Sequence, residues 1–257
     1  MRRFPSYILW PALFTLGLFL LWEGICTAFR VPPTFLPAPS AVFRAIWNFR
    51  QTLAENSLVT LYTTLLGFGL ATVVGLLLGV TIGASKSIYE AMYPVMVGFN
   101  SVPKVAVVPV LILWFGVGVV PAVLTAFLIS FFPIVVNVAT GLATTEPELE
   151  DVLRALGASK LDIMRKVGIP RTGPYLFGAL KVAITLAFVG AVVSETIGAN
   201  AGLGHLMVQA GSNFQMPLVF AGLLALAIEG ILMYAVFAVL ERRMVSWAFR
   251  SSLSAAG

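Results

Sequence analysis

One cysteine and one histidine in 257 residues leave little room for several kinds of chemistry. Cys26 has no second cysteine to pair with and cannot seed a Cys-based metal site, and His205 stands too alone to hold a metal. Charge is scarce as well. Only 11% of the residues are Asp, Glu, Lys or Arg, against roughly 25% in an ordinary soluble domain. No aspartate falls inside a long apolar run, and no cluster of carboxylates or histidines marks one membrane face, so an intramembrane enzyme would lack its acid, base or metal ligands. The bases outnumber the acids, sixteen to eleven, but they form no patch interleaved with aromatics, which counts against nucleic acid. What abounds is apolar: 59% of the chain is hydrophobic and the mean hydropathy is +0.97. Much of the surface must therefore face lipid, and the expected fold class is an all-α integral membrane protein. The apolar runs leave no stretch for a separate aqueous domain, so residues 1–257 read as a single transmembrane domain. ATP hydrolysis or capture of a soluble ligand would fall to partners.

The first apolar run extends from Tyr7 to about Phe29 behind Arg2 and Arg3. It is long enough to span and has no small-x-small cleavage site, so it reads as an uncleaved first helix. Further runs at about 57–83, 89–116, 119–142, 174–197 and 217–241 make six spans. With a cytoplasmic N-terminus, the inner side holds Arg2, Arg3, Lys86, Arg154, Lys160, Arg165, Lys166, Arg171, Arg242, Arg243 and Arg250, and the outer side only Arg30, Arg44 and Arg50. Lysine and arginine resist translocation, so both termini are expected in the cytoplasm.

Outside, residues 36–55 follow a proline-rich entry, with Ser40 placed to cap a helix and Val42, Ile46, Phe49 and Leu53 on one face. This predicts an amphipathic segment on the outer surface, packing the first helix onto the rest or docking a partner. In the second span Gly67, Ala71, Gly75, Gly79 and Gly83 recur every four residues, a smooth face that predicts close approach of another helix, in the same protomer or in a dimer.

The third span is interrupted by Pro94, Pro103 and Pro109, with Asn100, Ser101 and Lys104 near its middle. Proline frees carbonyls that lipid cannot satisfy, and a broken polar helix centre is where transporters place solute contacts. A kinked packing helix whose lysine meets a carboxylate is the other reading, with Glu229, mid-way along the last span, as the candidate partner. Lys181 is expected to snorkel to the cytoplasmic surface. Glu195 ends the fifth span before a Gly- and Asn-rich segment that includes Asn200, read as a pathway mouth, with a tight external turn as the plainer alternative.

The longest inner loop, residues 143–173, is the most polar part of the chain. Thr145 with Glu148 and Ser159 with Asp162 have the capping-box spacing, Gly157 supplies a sharp turn between two helices, and Pro170 is expected to end the second. Leu156, Leu161, Ile163 and Met164 among these charges suggest a docking surface.

The run from Asp151 to Ser159, continuing to Ile169 and Pro170, resembles the coupling loop of the permease subunits of bacterial ATP-binding-cassette importers. That family has Glu-Ala-Ala six residues ahead of the glycine, where this chain has Asp151-Val152-Leu153; Gly157 and Pro170 match. Leu36-Pro37-Ala38-Pro39-Ser40, Val102-Pro103-Lys104-Val105-Ala106 through Leu113-Trp114-Phe115-Gly116, and Glu195-Thr196-Ile197-Gly198-Ala199-Asn200 with Gly202-Leu203-Gly204 are similar to the nitrate, sulfonate and taurine group of those permeases, over roughly residues 35–250.

The resemblance implies a five-helix type I importer core, spans two to six, with the first helix at its flank. It implies a homodimer in the bacterial inner membrane, bound to two cytoplasmic ATPase subunits and to an extracytoplasmic solute-binding protein. This chain would bind no cofactor and have no catalytic residue; ATP and magnesium would sit on the ATPase. Asp151, Ala155, Gly157, Ala158, Ser159, Leu161, Asp162, Arg165 and Pro170 would form the ATPase-coupling segment, and Asn100, Ser101, Lys104, Glu195, Asn200 and Glu229 the solute pathway. Lys104 points to a small anion. Pyrimidine-type vitamin precursors are the alternative cargo, and an ion-coupled transporter working alone is the alternative machine.

Overall fold

A computed structural model of the chain describes residues 6–144 and 147–245. Arg2, Arg3, Arg250 and Thr145, used above for topology and capping, lie outside these residues. Every element among the described residues is helical.

The chain begins with α1 (Ser6–Ala28), α2 (Pro39–Asn48) and α3 (Arg50–Gly83). α2 buries Pro39, Val42 and Ala45, while Phe43 and Trp47 on its other side are exposed. The expected single segment over 36–55 is divided at Phe49, whose φ of −107° and ψ of 20° break the helix between α2 and α3. Ser40 is not the cap that its position suggested. The N-cap is Ala38, two residues earlier, and the start of α2 is capped by a carboxylate from α1: Ser40 N and Oγ donate to Glu23 at 2.9 and 2.8 Å. α3 has 34 residues, about 51 Å at 1.5 Å per residue, so its first turns stand clear of a hydrocarbon core about 30 Å thick.

Next come α4 (Lys86–Asn100) and α5 (Val108–Phe115), joined through a 3-10 turn at Lys104–Val107 and bent by 70°. α6 (Val119–Ala143) follows as the central helix. The smooth face of α3 lies on it. A Cβ on Gly67 would stand 2.5 Å from Ala126 Cβ, on Gly75 2.8 Å from Ile134 Cβ, on Gly79 2.7 Å from Val138 Cβ, and on Gly83 2.8 Å from Ala139 O. The predicted close partner is therefore within the protomer. Both sets of numbers rise together, so α3 and α6 run parallel. The chain must cross the full thickness between the end of one and the start of the other, which makes the bent α4–α5 pair the sixth span beside five unbroken span-length helices.

The loop contains α7 (Pro147–Ala155) and α8 (Lys160–Ile163); a π turn at Met164–Gly168 leads into α9 (Ile169–Gly198). Pro170 does not end the second loop helix. Ile169 N–H bonds Met164 O, five residues back, and this wide turn sits where the proline ring would otherwise press on the carbonyl four residues earlier. The loop helix thus continues into the span. α9 packs antiparallel on α6, Gly141 against Thr172 and Gly190 against Ala126. Phe68, Ala126, Ile134, Val138, Ala183, Ala187 and Met233 belong to the core between these helices. α10 (Leu203–Ser212) and α11 (Met216–Met244) complete the chain; Val42 and Ala45 of α2 pack with Leu203, Leu206, Leu218 and Ala221.

Candidate functional site

Three places gather the polar side chains, one near each end of the bundle and one between. At the loop end, Gly157 has φ +83°, and the hydrogen bonds Gly157 N to Arg154 O (2.9 Å) and Ala158 N to Leu153 O (3.0 Å) close α7 as a Schellman motif. Ser159 then opens α8. Its Oγ accepts from Asp162 N at 3.2 Å and donates to Asp162 Oδ2, while its N donates to the same oxygen at 3.3 Å, a reciprocal capping box. The Ser159 hydroxyl, then its backbone N–H, holds the Asp162 carboxyl below the usual carboxylate range. Leu153, Leu156, Ala158, Ile163 and Val167 line a groove of about 330 Å³. Leu156 is 79% exposed, whereas Ile163, expected on the surface, is buried. Asp151, Ala155, Arg165 and Pro170 are exposed around this groove's helices, and Leu161 lies in α8.

In the middle, the α4–α5 bend lies beside α6. Lys104 Nζ sits 5.5 Å from the Phe132 ring, half-way along α6. It donates to Asn100 O and Oδ1, both at 3.1 Å. The ammonium thus sits on the open carbonyl end of α4, where a cation meets the negative end of the helix dipole. This interaction gathers Asn100 and Lys104, with Ser101 exposed in the break. It does not gather Lys104 with Glu229, the pairing considered from sequence: Glu229 Oε2 is buried without a hydrogen-bond partner among the described residues. Lys181 does not snorkel alone either. It pairs with Glu241 of α11 at 2.6 Å, with side chains 21% and 12% exposed.

At the opposite end, Glu195 is only 2% exposed. Its carboxylate accepts from Thr60 Oγ1 (2.9 Å), Thr63 Oγ1 (3.3 Å) and Gly204 N (3.0 Å). Thr60 Oγ1 accepts in turn from Leu203 N at 2.9 Å, and Asn56 Oδ1 from Gly202 N at 2.8 Å. Glu195 and Asn200 both border a cavity of about 160 Å³ with Thr63 and Ala122, and Glu229 is near enough to interact electrostatically with Glu195. Sequence reasoning missed Asn56, Thr60 and Thr63. Threonines three apart at the polar end of an apolar helix were the available signal.

Six helical crossings around a parallel α3–α6 pair, a broken span and a polar helical loop define a multi-pass membrane transport subunit. The chain belongs to the family of binding-protein-dependent transport system inner membrane components, matched over residues 71–246. It is 33% identical over 238 residues to the formylaminopyrimidine transport permease protein ThiX of Halalkalibacterium halodurans, covering 92% of this chain and 95% of that one. It is 36% identical over 244 residues to the riboflavin transport system permease protein RibX of Chloroflexus aurantiacus, covering 93% and 91%. It is 25% identical over 237 residues to the taurine transport system permease protein TauC of Escherichia coli K12, covering 90% and 86%. A chain of the MetNI methionine ABC transporter in an inward-facing conformation superposes with a TM-score of 0.62 at 21% identity, over 81% of this chain and 98% of that one, which identifies the type I importer permease fold.

Proposed function

We propose that this chain is the membrane-spanning subunit of an ATP-driven importer that works as a homodimer with two cytoplasmic ATPase subunits and an extracytoplasmic solute-binding protein. It carries no hydrolytic chemistry; ATP and magnesium belong to the partner ATPase. The observation that supports this best is the loop: two short helices set by Gly157 present a groove with Leu156 at its rim, and the second runs on into a span, so a push on the loop is a push on α9. Both termini and the loop lie in the cytoplasm and α2 and α10 outside, as the distribution of Lys and Arg supports. Asp151, Ala155, Gly157, Ala158, Ser159, Leu161, Asp162, Arg165 and Pro170 form or flank the coupling surface.

The solute is a small anion, passed near Asn100, Ser101 and Lys104 at mid-depth, where a fixed ammonium is the available counter-charge. Asn200 and Glu229 belong to the outer part of the route, while Glu195, which borders the same cavity as Asn200, is engaged by Thr60, Thr63 and the Gly204 N–H of the protein itself. A second reading, a pyrimidine-type vitamin precursor, is supported by the name of the formylaminopyrimidine transport permease relative, 33% identical to this chain. The deciding measurement is the mass of the intact complex purified from its native membrane in mild detergent. Two copies of this chain with two ATPase subunits are expected. A chain without ATPase in several detergents, with uptake that survives ATP depletion but fails when the proton gradient collapses, would replace this reading by an ion-coupled transporter.

A further inference from the structure

One element links the cytoplasmic loop to the outer end. α9 runs unbroken through 30 residues, about 45 Å at 1.5 Å per residue. Its inner end is continuous with α8 through the π turn, and its last turn carries Glu195. Around that single carboxylate three elements meet: Thr60 and Thr63 of α3, Glu195 of α9, and Gly204 in the first turn of α10. Thr60 and Asn56 also receive the N–H groups of Leu203 and Gly202. The local sequence is shaped around the acid. Gly202 has φ +107°, and a Cβ there would collide with the Glu195 carboxyl group; a Cβ on Gly204 would stand 2.8 Å from Glu195 Cβ.

This joint differs in kind from the seams of the bundle interior. Where α3 meets α6, carbon packs on carbon without space, and moving one helix leaves a void. At Glu195 the elements are held by hydrogen bonds beside a cavity of about 160 Å³ that the carboxylate itself borders. Most of its lining is apolar, from Val59, Val119, Ala122, Ala199 and Ala201, but Thr63, Glu195 and Asn200 offer polar partners to a water there, so groups parted here can be satisfied again by that water. The joint can therefore open without orphaning its polar groups.

We infer that Glu195 is a positioning residue for transport, a clasp that holds the outer ends of α3 and α10 to α9 and is released and remade as α9 is driven from the cytoplasmic loop. The inference rests on the ATPase-coupled reading above. Glu195 touches no solute in this role; it times the movement of the outer gate.

The test uses the intact complex in nanodiscs with its ATPase and binding protein, once the wild-type complex has been shown to contain the ATPase; absence of the ATPase overturns the coupled reading before any variant is made. Spin labels at Leu58 and Val208, both exposed, report the α3–α10 distance with and without vanadate trapping of the ATPase. In wild type the distance distribution shifts on trapping. Glu195→Ala is expected to assemble with unchanged stoichiometry and to retain basal ATP hydrolysis. It should lose at least ten-fold in uptake and in stimulation of the ATPase by loaded binding protein, with one broad distance distribution that trapping does not move. Glu195→Gln, which keeps an acceptor for Gly204 N–H, should recover part of the stimulation. If Glu195→Ala does not assemble, the near-isosteric Thr63→Val decides, with an expected loss of at least two-fold in transport per ATP. Wild-type transport per ATP in the variant that assembles, or a trapping shift equal to wild type, would overturn the clasp.

Discussion

Gly79→Ala tests the claim that the smooth face of α3 is a seam against α6. A Cβ at this position would lie 2.7 Å from Val138 Cβ, 2.9 Å from Val138 Cγ1 and 3.0 Å from Val135 O. Carbon pairs prefer about 3.5–4.0 Å, so the helices must part locally by roughly 0.8 Å or more, and backbone blocks one direction of escape. Overpacking of this kind costs about 1–3 kcal/mol. Alanine in place of glycine also favours the helix itself by about 1 kcal/mol, so the net effect alone would be ambiguous. Gly69→Ala removes the ambiguity. It lies on the same helix with nothing within 4 Å of its added Cβ, so it takes the propensity gain without the clash. The difference between the two variants is then the overpacking cost alone, about 1–3 kcal/mol, with Gly79→Ala the less stable. Unfolding midpoints of both variants in the same detergent give this difference directly. Gly75→Ala meets Ile134 Cβ at 2.8 Å, and because one sideways shift relieves both clashes, the double variant should cost less than the sum. A Gly79→Ala protein as stable as Gly69→Ala would refute the seam.

Four other outcomes follow from the geometry. At Gly157, φ is +83° and a Cβ would meet nothing within 4 Å, so the effect of substitution is backbone strain alone, about 1–2 kcal/mol for a residue with a Cβ; uptake per ATP should fall in the order Asn, Ala, Val, and equal coupling for Val and Asn would count against the turn. Lys104→Met removes the ammonium at mid-depth and should reduce uptake of anionic solutes at least ten-fold while sparing neutral ones; unchanged anion preference in a vesicle uptake assay would end the anion reading. Glu241→Gln leaves the Lys181 ammonium half-buried without its counter-charge and should lower stability by roughly 1–3 kcal/mol, whereas joint replacement of both by Met should recover most of it; a midpoint for Glu241→Gln equal to wild type would show that the pair contributes nothing. The Asp162 carboxyl is held below its ordinary range by Ser159, so the carboxylate's part of the cap is complete at neutral pH and is lost as pH falls through that lowered value; hydrogen exchange at the α8 amides, corrected for intrinsic rate, should accelerate in Ser159→Ala at neutral pH, with a smaller difference from wild type in acid, where the Asp162 N–H to Ser159 Oγ bond remains, and equal rates at neutral pH would remove the cap.

Local signals were the legible ones. Apolar run length placed five spans, the prolines placed the break in another, and a four-residue glycine repeat marked the tight face of α3, because each depends on neighbours along one helix. The partners of those features were not written in the same places. Nothing in α3 alone names α6, and Ser40 looked like a cap because its neighbours suit one, while the capping carboxylate, Glu23, comes from another helix seventeen residues away. Pro170 misled for a different reason: the rule that proline stops a helix assumes regular α geometry, and the π turn before it removes that assumption.

The charged residues show the same division most sharply. In a low-dielectric interior each charge or carboxyl must find a compensating group, but sequence does not say whether that group is another charge, a carbonyl or a hydroxyl. Lys104 looked for a carboxylate and took the carbonyl end of its own helix, with Asn100 four residues back as the local signal. Lys181, which the same reasoning sent to the surface, found Glu241 sixty residues on. Glu195, at the edge of a glycine-rich segment, found two threonines on α3 and an amide of α10. The need for compensation is therefore a property of the residue and can be read early. The identity of the compensating group is a property of helix packing, and at Glu195 it turns a lone acid at the end of a span into a point where α3, α9 and α10 answer to a single side chain.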